Sequence, residues 1–317
     1  MRKSEQWIAS DNNADLFVRR WSPPDENARA VVNIVHGMAE HGERYNRLAE
    51  RLTAEGIVVW AADMRGHGKT ADSSINDPGH GGLLGHCADE NAIDVLTSDI
   101  NVVNNAIMRE YPGTPVFLFG HSWGSFLTQN YIETYGTIPL AGCILSGTRG
   151  PDGLLIAASK PVMSFLAALR GCRNPSKLAY ALAIGPYNRP FKPNRTAVDW
   201  LSRDDEEVNA YVADKLCGNM SSVGFFKDLS ILLNKIHKKE SLSNIRQNLP
   251  IYIVGGSADP VGDMGKSPTA LVDAYRSLGI QDLEFALYPD ARHEMLNETN
   301  REEVINNLIT WLMRHIA

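Results

Sequence analysis

Short apolar runs alternating with helix-period segments predict an α/β chain: a mostly parallel central sheet flanked by helices, with an inserted helical cap. Three observations carry this. The runs are almost continuously apolar, as strands buried on both faces are. Several of the segments between them repeat apolar residues at helical spacing. One stretch, residues 148–222, breaks the alternation with Gly, Pro and helical patches but no clear strand.

The elements follow in order. The opening residues read as a hairpin, Trp7–Ser10 and Leu16–Trp21 around an Asp11-Asn12-Asn13 turn. Ala30–Val35, Ile57–Ala62, Val116–Phe119, Leu140–Leu145, Ile251–Val254 and Leu283–Leu287 read as strands, being short, rich in β-branched residues and bounded by Gly, Pro or Asp. Ile93, Leu96, Ile100, Val103 and Ile107 share one face of a long helix. Leu271, Ala274, Tyr275 and Leu278 form a second helical face, and Val304, Leu308 and Leu312, with Ile305 and Ile309 beside them, form a C-terminal one. An antiparallel lead-in followed by right-handed βαβ crossovers is the expected topology. The domain expectation is a core of residues 1–147 and 223–317 interrupted by a cap of residues 148–222.

Composition narrows the class. With 317 residues, 44% hydrophobic and 21% charged, the chain is neither disordered nor fibrous. A net charge of −6 gives no bulk attraction to nucleic-acid phosphates. Cys87, Cys143, Cys172 and Cys217 form no CxxC pair, which excludes a zinc knuckle or dithiol motif and fits idle thiols in a reducing compartment. The N-terminus lacks the apolar core of a signal peptide. The longest apolar stretch, Leu154–Leu169, is interrupted by Lys160 and Pro161 and falls short of the ~20 residues of a membrane span. The expected location is cytoplasmic, with peripheral membrane contact through the cap as an option.

Gly120-His121-Ser122-Trp123-Gly124 matches G-x-S-x-G, directly after an apolar run and before a helix-compatible stretch. In that setting a tight turn lifts the serine hydroxyl off the sheet and the following helix N-terminus faces developing negative charge. Serine needs a base, and the base needs an orienting acid. Among histidines beyond the elbow, His237 sits in a basic patch and His315 near the chain end, whereas His293 lies in a loop after a strand. Asp259 directly follows the strand-like run IYIV and its Gly-Gly-Ser-Ala tail; Asp263 is the runner-up. The oxyanion donors expected are the main-chain N–H groups of Trp123 and of Met38, in the loop His36–His41, with both side chains as pocket walls.

Other motifs carry less. Gly68-Lys69-Thr70 lacks the first glycine of a phosphate loop, where Asp63 stands. His67, His80, His86, Asp72 and Asp77 lack metal-ligand spacing, and His36-x₄-His41 is not HExxH. No GxGxxG follows a strand, so no dinucleotide is expected.

With Ser122, Asp259 and His293 in this order, the chain resembles the α/β-hydrolase superfamily, and within it the monoacylglycerol lipase and bacterial lysophospholipase group. His36–Tyr45 (HGMAEHGERY) is similar to that group's HG-x-x-E-H-x-x-RY block, and Asp63–Gly68 (DMRGHG) to its D-x-RGHG block. The resemblance implies a serine hydrolase with an acyl-enzyme, needing no cofactor or metal, acting on a small acyl ester or lipid. It makes Ser122 nucleophile, His293 base and Asp259 orienter, with Met38 and Trp123 as oxyanion donors. Trp123 departs from the Met common in the group, and a Ser-Trp-Gly-Ser elbow also occurs in proline iminopeptidase relatives, so a peptidase is the alternative. A catalytically silent binding or scaffold protein is the other. In the cap, Leu154, Leu155, Ile156, Val162, Met163, Phe165, Leu166 and Leu169 suffice to line an acyl tunnel or to pack the cap onto the core. Phe165, Leu166 and Leu169 are the substrate-binding candidates.

Overall fold

The computed structural model describes residues 1–10, 13–151 and 154–316, and the side chains of these except residues 154–158. The strands are β1 (Arg2–Ser10), β2 (Ala14–Ser22), β3 (Ala30–Val35), β4 (Ile57–Ala62), β5 (Val116–His121), β6 (Gly142–Ser146), β7 (Ile251–Gly256) and β8 (Leu283–Tyr288). The helices are α1 (Asn46–Ala54), α2 (Ala92–Glu110), α3 (Trp123–Thr134), α4 (Leu154–Arg170), α5 (Lys177–Ala183), α6 (Asp205–Ala213), α7 (Val223–Lys235), α8 (Lys239–Leu242), α9 (Lys266–Ser277) and α10 (Arg301–Arg314).

All eight strands form one sheet in the order β1-β2-β4-β3-β5-β6-β7-β8. The β1/β2 and β2/β4 pairs are antiparallel, and every later pair is parallel. Side-chain alternation explains why the central strands are almost wholly apolar, the buried Asn33 of β3 being bonded to Asn104 at 2.8 Å. Val31 and Val35 of β3 and Val116 and Leu118 of β5 face α2, α3, α7 and α9 on one side. Val32 and Ile34, with Phe117 and Phe119, face α1 and α10 on the other. With both faces covered, no position on these strands is free to be polar without a partner.

The expected strands and helices are found, with shifted ends. The lead-in hairpin is longer than the apolar pattern suggests, because β1 is an exposed edge strand whose charged residues carry no apolar alternation. Asp11 and Asn12 of its expected turn lie outside the described residues. β8 is the opposite edge and is only half-buried, not buried on both faces. The stretch carrying Lys160 and Pro161 is one continuous helix, α4. No helix among the described residues is long and apolar enough to cross a membrane.

Candidate active site

The site forms where the parallel strands end. β5 runs into Ser122, whose φ of 52° and ψ of −124° place it in a strained turn before α3. Its N–H donates to the Ser146 carbonyl at 2.8 Å, fixing the turn to the end of β6. Only glycine fits on either side. A Cβ on Gly124 would run into the Val35 and His36 carbonyl oxygens, and one on Gly120 into Gly124 and Ser125 backbone. The spacing G-x-S-x-G is therefore a packing requirement of the turn.

The loop after β8 brings His293 to Ser122, and the turn after β7 brings Asp259 to His293. The Ser122 hydroxyl lies 2.7 Å from His293 Nε2, and His293 Nδ1 lies 2.9 Å from Asp259 Oδ2. Asp259 Oδ1 accepts the Val261 N–H at 2.8 Å. This fixes the tautomer: Nδ1–H donates to the carboxylate, leaving the Nε2 lone pair for the serine proton. His293 and Asp259 are buried. Burial pushes the His293 imidazolium down, but the attraction and hydrogen bond of Asp259 outweigh it and raise the group above 6.5. The His121 ring, 4.9 Å from that of His293, is driven the other way, to about 4, by burial and by His293. Positive charge thus settles on one imidazole and not its neighbour. Asp263 is exposed, pairs loosely with Lys266 at 3.9 Å, and does not reach the site. His315 pairs with Asp282 at 2.9 Å at the end of α10, and His237 follows α7; neither lies at Ser122.

The loop after β3 supplies the facing wall. Among the described residues no acceptor takes the Met38 or Trp123 main-chain N–H, so both remain available beside Ser122. The Met64 N–H donates to His36 Nε2 at 2.9 Å and His36 Nδ1–H donates to the Gly37 carbonyl at 2.8 Å, pinning the loop's start. Glu40 Oε1 accepts the Gly37 N–H at 2.5 Å and the Tyr45 hydroxyl at 2.9 Å. Arg44 then joins two loops, donating to Glu40 Oε2 at 2.6 Å and to both oxygens of Glu294 at 2.6 and 2.7 Å. Glu294 is the residue after His293, so a single guanidinium ties the loop after β3 to the loop after β8. Burial pushes the Glu40 carboxyl up, but Arg44, His121, His36 and the Gly37 N–H together outweigh it and hold the group at about 2. Glu294 is held below its ordinary value in the same way.

Two expectations need correction. Met38 lines the cavity, but the Trp123 side chain does not. Its indole is buried beneath the elbow, 4.8 Å from the Phe225 ring and stacked 5.3 Å from His67. Trp123 is therefore packing under the turn, and His67 of the RGHG block stays neutral there, pushed by burial to about 3. Arg65 of the same block is buried against Asp99 at 2.6 Å, a structural pair. The Gly68-Lys69-Thr70 turn is filled by protein, since the Lys69 N–H donates to Asp63 Oδ2 at 2.8 Å.

The second correction concerns the expected substrate-binding residues of α4. A cavity of about 520 Å³ opens over Ser122, His293 and Met38. It is walled by Tyr180, Ile184, Val198, Trp200, Leu201, Tyr211 and Val212, with Arg195, Thr196 and Asn219 as polar members. Phe165, Leu166 and Leu169 are not among its lining residues. Phe165 and Leu169 are 64% and 66% exposed, and Leu166 is half-buried against the core. Helix α4 turns that face outward because Met163 and Ala167, on its other side, are the buried ones. The side chains of Leu154, Leu155 and Ile156 lie outside the described residues.

The stretch 199–203 binds the His293 loop directly. Arg292 donates to the Asp199 and Ser202 carbonyls at 2.5 and 2.9 Å, and the Glu294 N–H donates to Leu201 O at 2.8 Å. Arg203 pairs with Glu298 at 2.8 Å, and the Trp200 ring lies 5.0 Å from that of His293. Sequence reasoning assigned no role to this stretch, nor to Glu40, Arg44 and Glu294. The first two sit inside the quoted HGMAEHGERY block, and that was the available signal.

This sheet, elbow and hydrogen-bonded Ser–His–Asp chain define an α/β-hydrolase of the lipase and esterase class. The chain belongs to the family described as serine aminopeptidase, S33, whose model matches residues 26–300. It is 26% identical over 320 residues to a monoacylglycerol lipase of Mycolicibacterium smegmatis, covering 99% of this chain and 98% of that protein. It is 27% identical over 318 residues to the mouse (Mus musculus) monoglyceride lipase, covering 96% and 90%. A thermostable carboxyl esterase from Bacillus coagulans, solved with glycerol, superposes with a TM-score of 0.90 at 26% identity over the whole of both chains.

Proposed function

We propose that this protein hydrolyses monoacylglycerol-like carboxylic esters through an acyl-enzyme on Ser122. The carrying observation is the unbroken hydrogen-bond chain Ser122–His293–Asp259 opening onto a largely apolar cavity. Ser122 Oγ attacks the ester carbonyl carbon while His293 Nε2 takes the hydroxyl proton. The Met38 and Trp123 N–H groups receive the oxyanion, each such donor being worth about 3–4 kcal/mol to the transition state. His293 returns the proton to the departing alcohol. Water, deprotonated by His293, then releases the acid. Asp259 holds the imidazole in its working tautomer and offsets its charge. Glycerol bound in the Bacillus coagulans esterase and the names of the two lipases support a glycerol ester as substrate. The apolar walls Tyr180, Ile184, Val198 and Leu201 suit the acyl chain, gaining up to ~0.8 kcal/mol per CH₂ buried.

The family description favours a second reading, an aminopeptidase. Such an enzyme needs a free carboxylate for the substrate's α-ammonium. The only carboxylates lining the cavity among the described residues are Glu40 and Glu294. Every oxygen of both is already taken by Arg44, Gly37, Tyr45 or Asn297, which supports the ester reading.

Residues 148–222 act as the cap over a core of residues 1–147 and 223–317. Val162, Phe165 and Leu169, one exposed face of α4, and Leu178 and Leu182 of α5 make the cap's contact with a membrane surface, from the cytoplasmic side. Initial rates on p-nitrophenyl esters from acetyl to palmitoyl, with Ser122→Ala as blank, test the reading. A Ser122-dependent maximum at medium or long chains supports it. Turnover of aminoacyl p-nitroanilides with no ester turnover would replace it with the peptidase, and no labelling of folded protein by a fluorophosphonate would replace it with a silent scaffold.

A further inference from the structure

Three side chains without a part in hydrolysis meet beside the cavity, one of them, Cys217, lining it. His41 ends the oxyanion loop, and Asp214 and Cys217 lie in the turn after α6, 173 residues or more further along the chain. His41 Nε2 lies 2.8 Å from Asp214 Oδ2, and one ligand atom from each of the three residues lies within 4.8 Å of the others. No other group of three or more His, Cys, Asp or Glu side chains comes together this way among the described residues. His41 and Cys217 are buried, and the His41 ring keeps a buried Nδ1 with no partner. Cys217 lines the cavity, which gives an ion its path in.

We propose that His41, Asp214 and Cys217 form an inhibitory site for a thiophilic divalent cation, Zn²⁺. The donor set is one imidazole, one carboxylate and one thiol, the types zinc takes. Tetrahedral zinc at its usual bond lengths puts ligand atoms about 3.3–3.6 Å apart, so His41 and Asp214, at 2.8 Å, part slightly to admit the ion. The charges balance: Zn²⁺ with one carboxylate and one thiolate is neutral, as burial requires. Burial keeps the free Cys217 thiol protonated at neutral pH. Binding therefore sends the thiol proton to solvent, while the imidazole proton moves from Nε2 to the unpartnered Nδ1. Three protein ligands leave the fourth position for water.

The consequence follows from what the turn already touches. The Tyr211 hydroxyl and the Gly218 N–H both donate to the Ala39 carbonyl, at 3.0 and 2.9 Å. Ala39, at a φ of 54°, is next to Met38. The ion fastens the turn after α6 to the oxyanion loop and slows turnover without being part of it.

Cobalt(II) is the probe, titrated into the metal-free full chain and read by its thiolate-to-cobalt charge-transfer absorption. One ion per chain binds to wild type and to C172S, is displaced by Zn²⁺, and gives no such band in C217S. A missing band in folded wild type, or an unchanged band in C217S, overturns the site. Should C217S not fold, wild type alone decides: Zn²⁺ protects Cys217 from iodoacetamide, and alkylation undiminished by Zn²⁺ overturns it. Zn²⁺ then inhibits ester turnover reversibly by chelator, with D214N needing at least about tenfold more metal. Only this last readout rests on the ester-hydrolase reading; the spectroscopic and alkylation arms stand without it.

Discussion

Exchanging Arg44 for Met strands two carboxylates. The guanidinium is 11% exposed, and Glu40 and Glu294, which share it, are 4% and 6% exposed. Breaking a buried ion pair by removing one member costs about 3–5 kcal/mol, because the remaining charge stays out of water. Unfolding entropy near 2 cal/mol/K per residue makes that a fall in Tm of about 4–8 °C for a chain of 317 residues. The pH dependence carries a sign. In wild type the Glu40 carboxyl is held at about 2, so its contribution is present above the unfolded value and is lost as pH falls towards that figure. In the variant, burial without a counter-ion raises both folded carboxyls above the unfolded value. The deficit is then largest near neutrality and fades once the acids are protonated in both states, below about pH 4. Thermal melts of both proteins at about pH 7 and about pH 4 should show the gap narrowing at the lower pH. A loss under about 1 kcal/mol, or an equal gap at both pH values, would contradict the buried-pair account. Turnover should fall too, since Glu40 is what positions the Gly37 N–H next to Met38.

Other expectations are these. Ser122→Ala should lower kcat on any cleaved ester by at least about 10⁴-fold with the melting temperature nearly unchanged; retained turnover would exclude Ser122 as nucleophile. The kcat/KM profile should rise with pH as His293 loses its proton, with an inflection above 6.5, and a profile flat across that region would exclude His293 as base. Gly124→Ala should fail to give folded, active enzyme, because the methyl meets the Val35 and His36 carbonyls, while Gly113→Ala meets nothing and should lose at most about 1–2 kcal/mol from its positive φ. F165S with L169S should cut turnover of vesicle-borne monoacylglycerol by about tenfold or more and leave a soluble short-chain ester unaffected; an equal loss on both would remove the membrane role.

Much of this molecule was legible in its sequence. The parallel strands were, because covering both faces forces nearly every side chain to be apolar, and the elbow was, because its glycines answer to steric limits on backbone. Ser122, Asp259 and His293 could be ordered because each directly follows a strand-like run or its loop. β1 was only half visible, since an edge strand open to water leaves no hydrophobic period. The cavity walls were misassigned to α4 because apolar composition does not say which face of a helix turns inward; Tyr180, Trp200 and Tyr211 took that place. Trp123 was expected at the wall for want of any sign that His67 and Phe225 would enclose it. The Arg44 ties and the meeting of His41 with Asp214 join residues 250 and 173 apart, distances over which spacing carries no information.

The bonds between 199–203 and the His293 loop divide the upper half of the molecule unequally. That stretch holds the loop on which His293 sits, through the Arg292 and Glu294 bonds and the Trp200 ring. The α4 and α5 region carries no such tether to the base among the described residues. A graft that replaces α4 and α5 alone, residues 154–183, should therefore leave these bonds in place, whereas one reaching Asn188 or Phe191 would disturb them, since the Trp200 N–H donates to Asn188 at 2.9 Å and the Arg292 guanidinium lies 4.3 Å from the Phe191 ring.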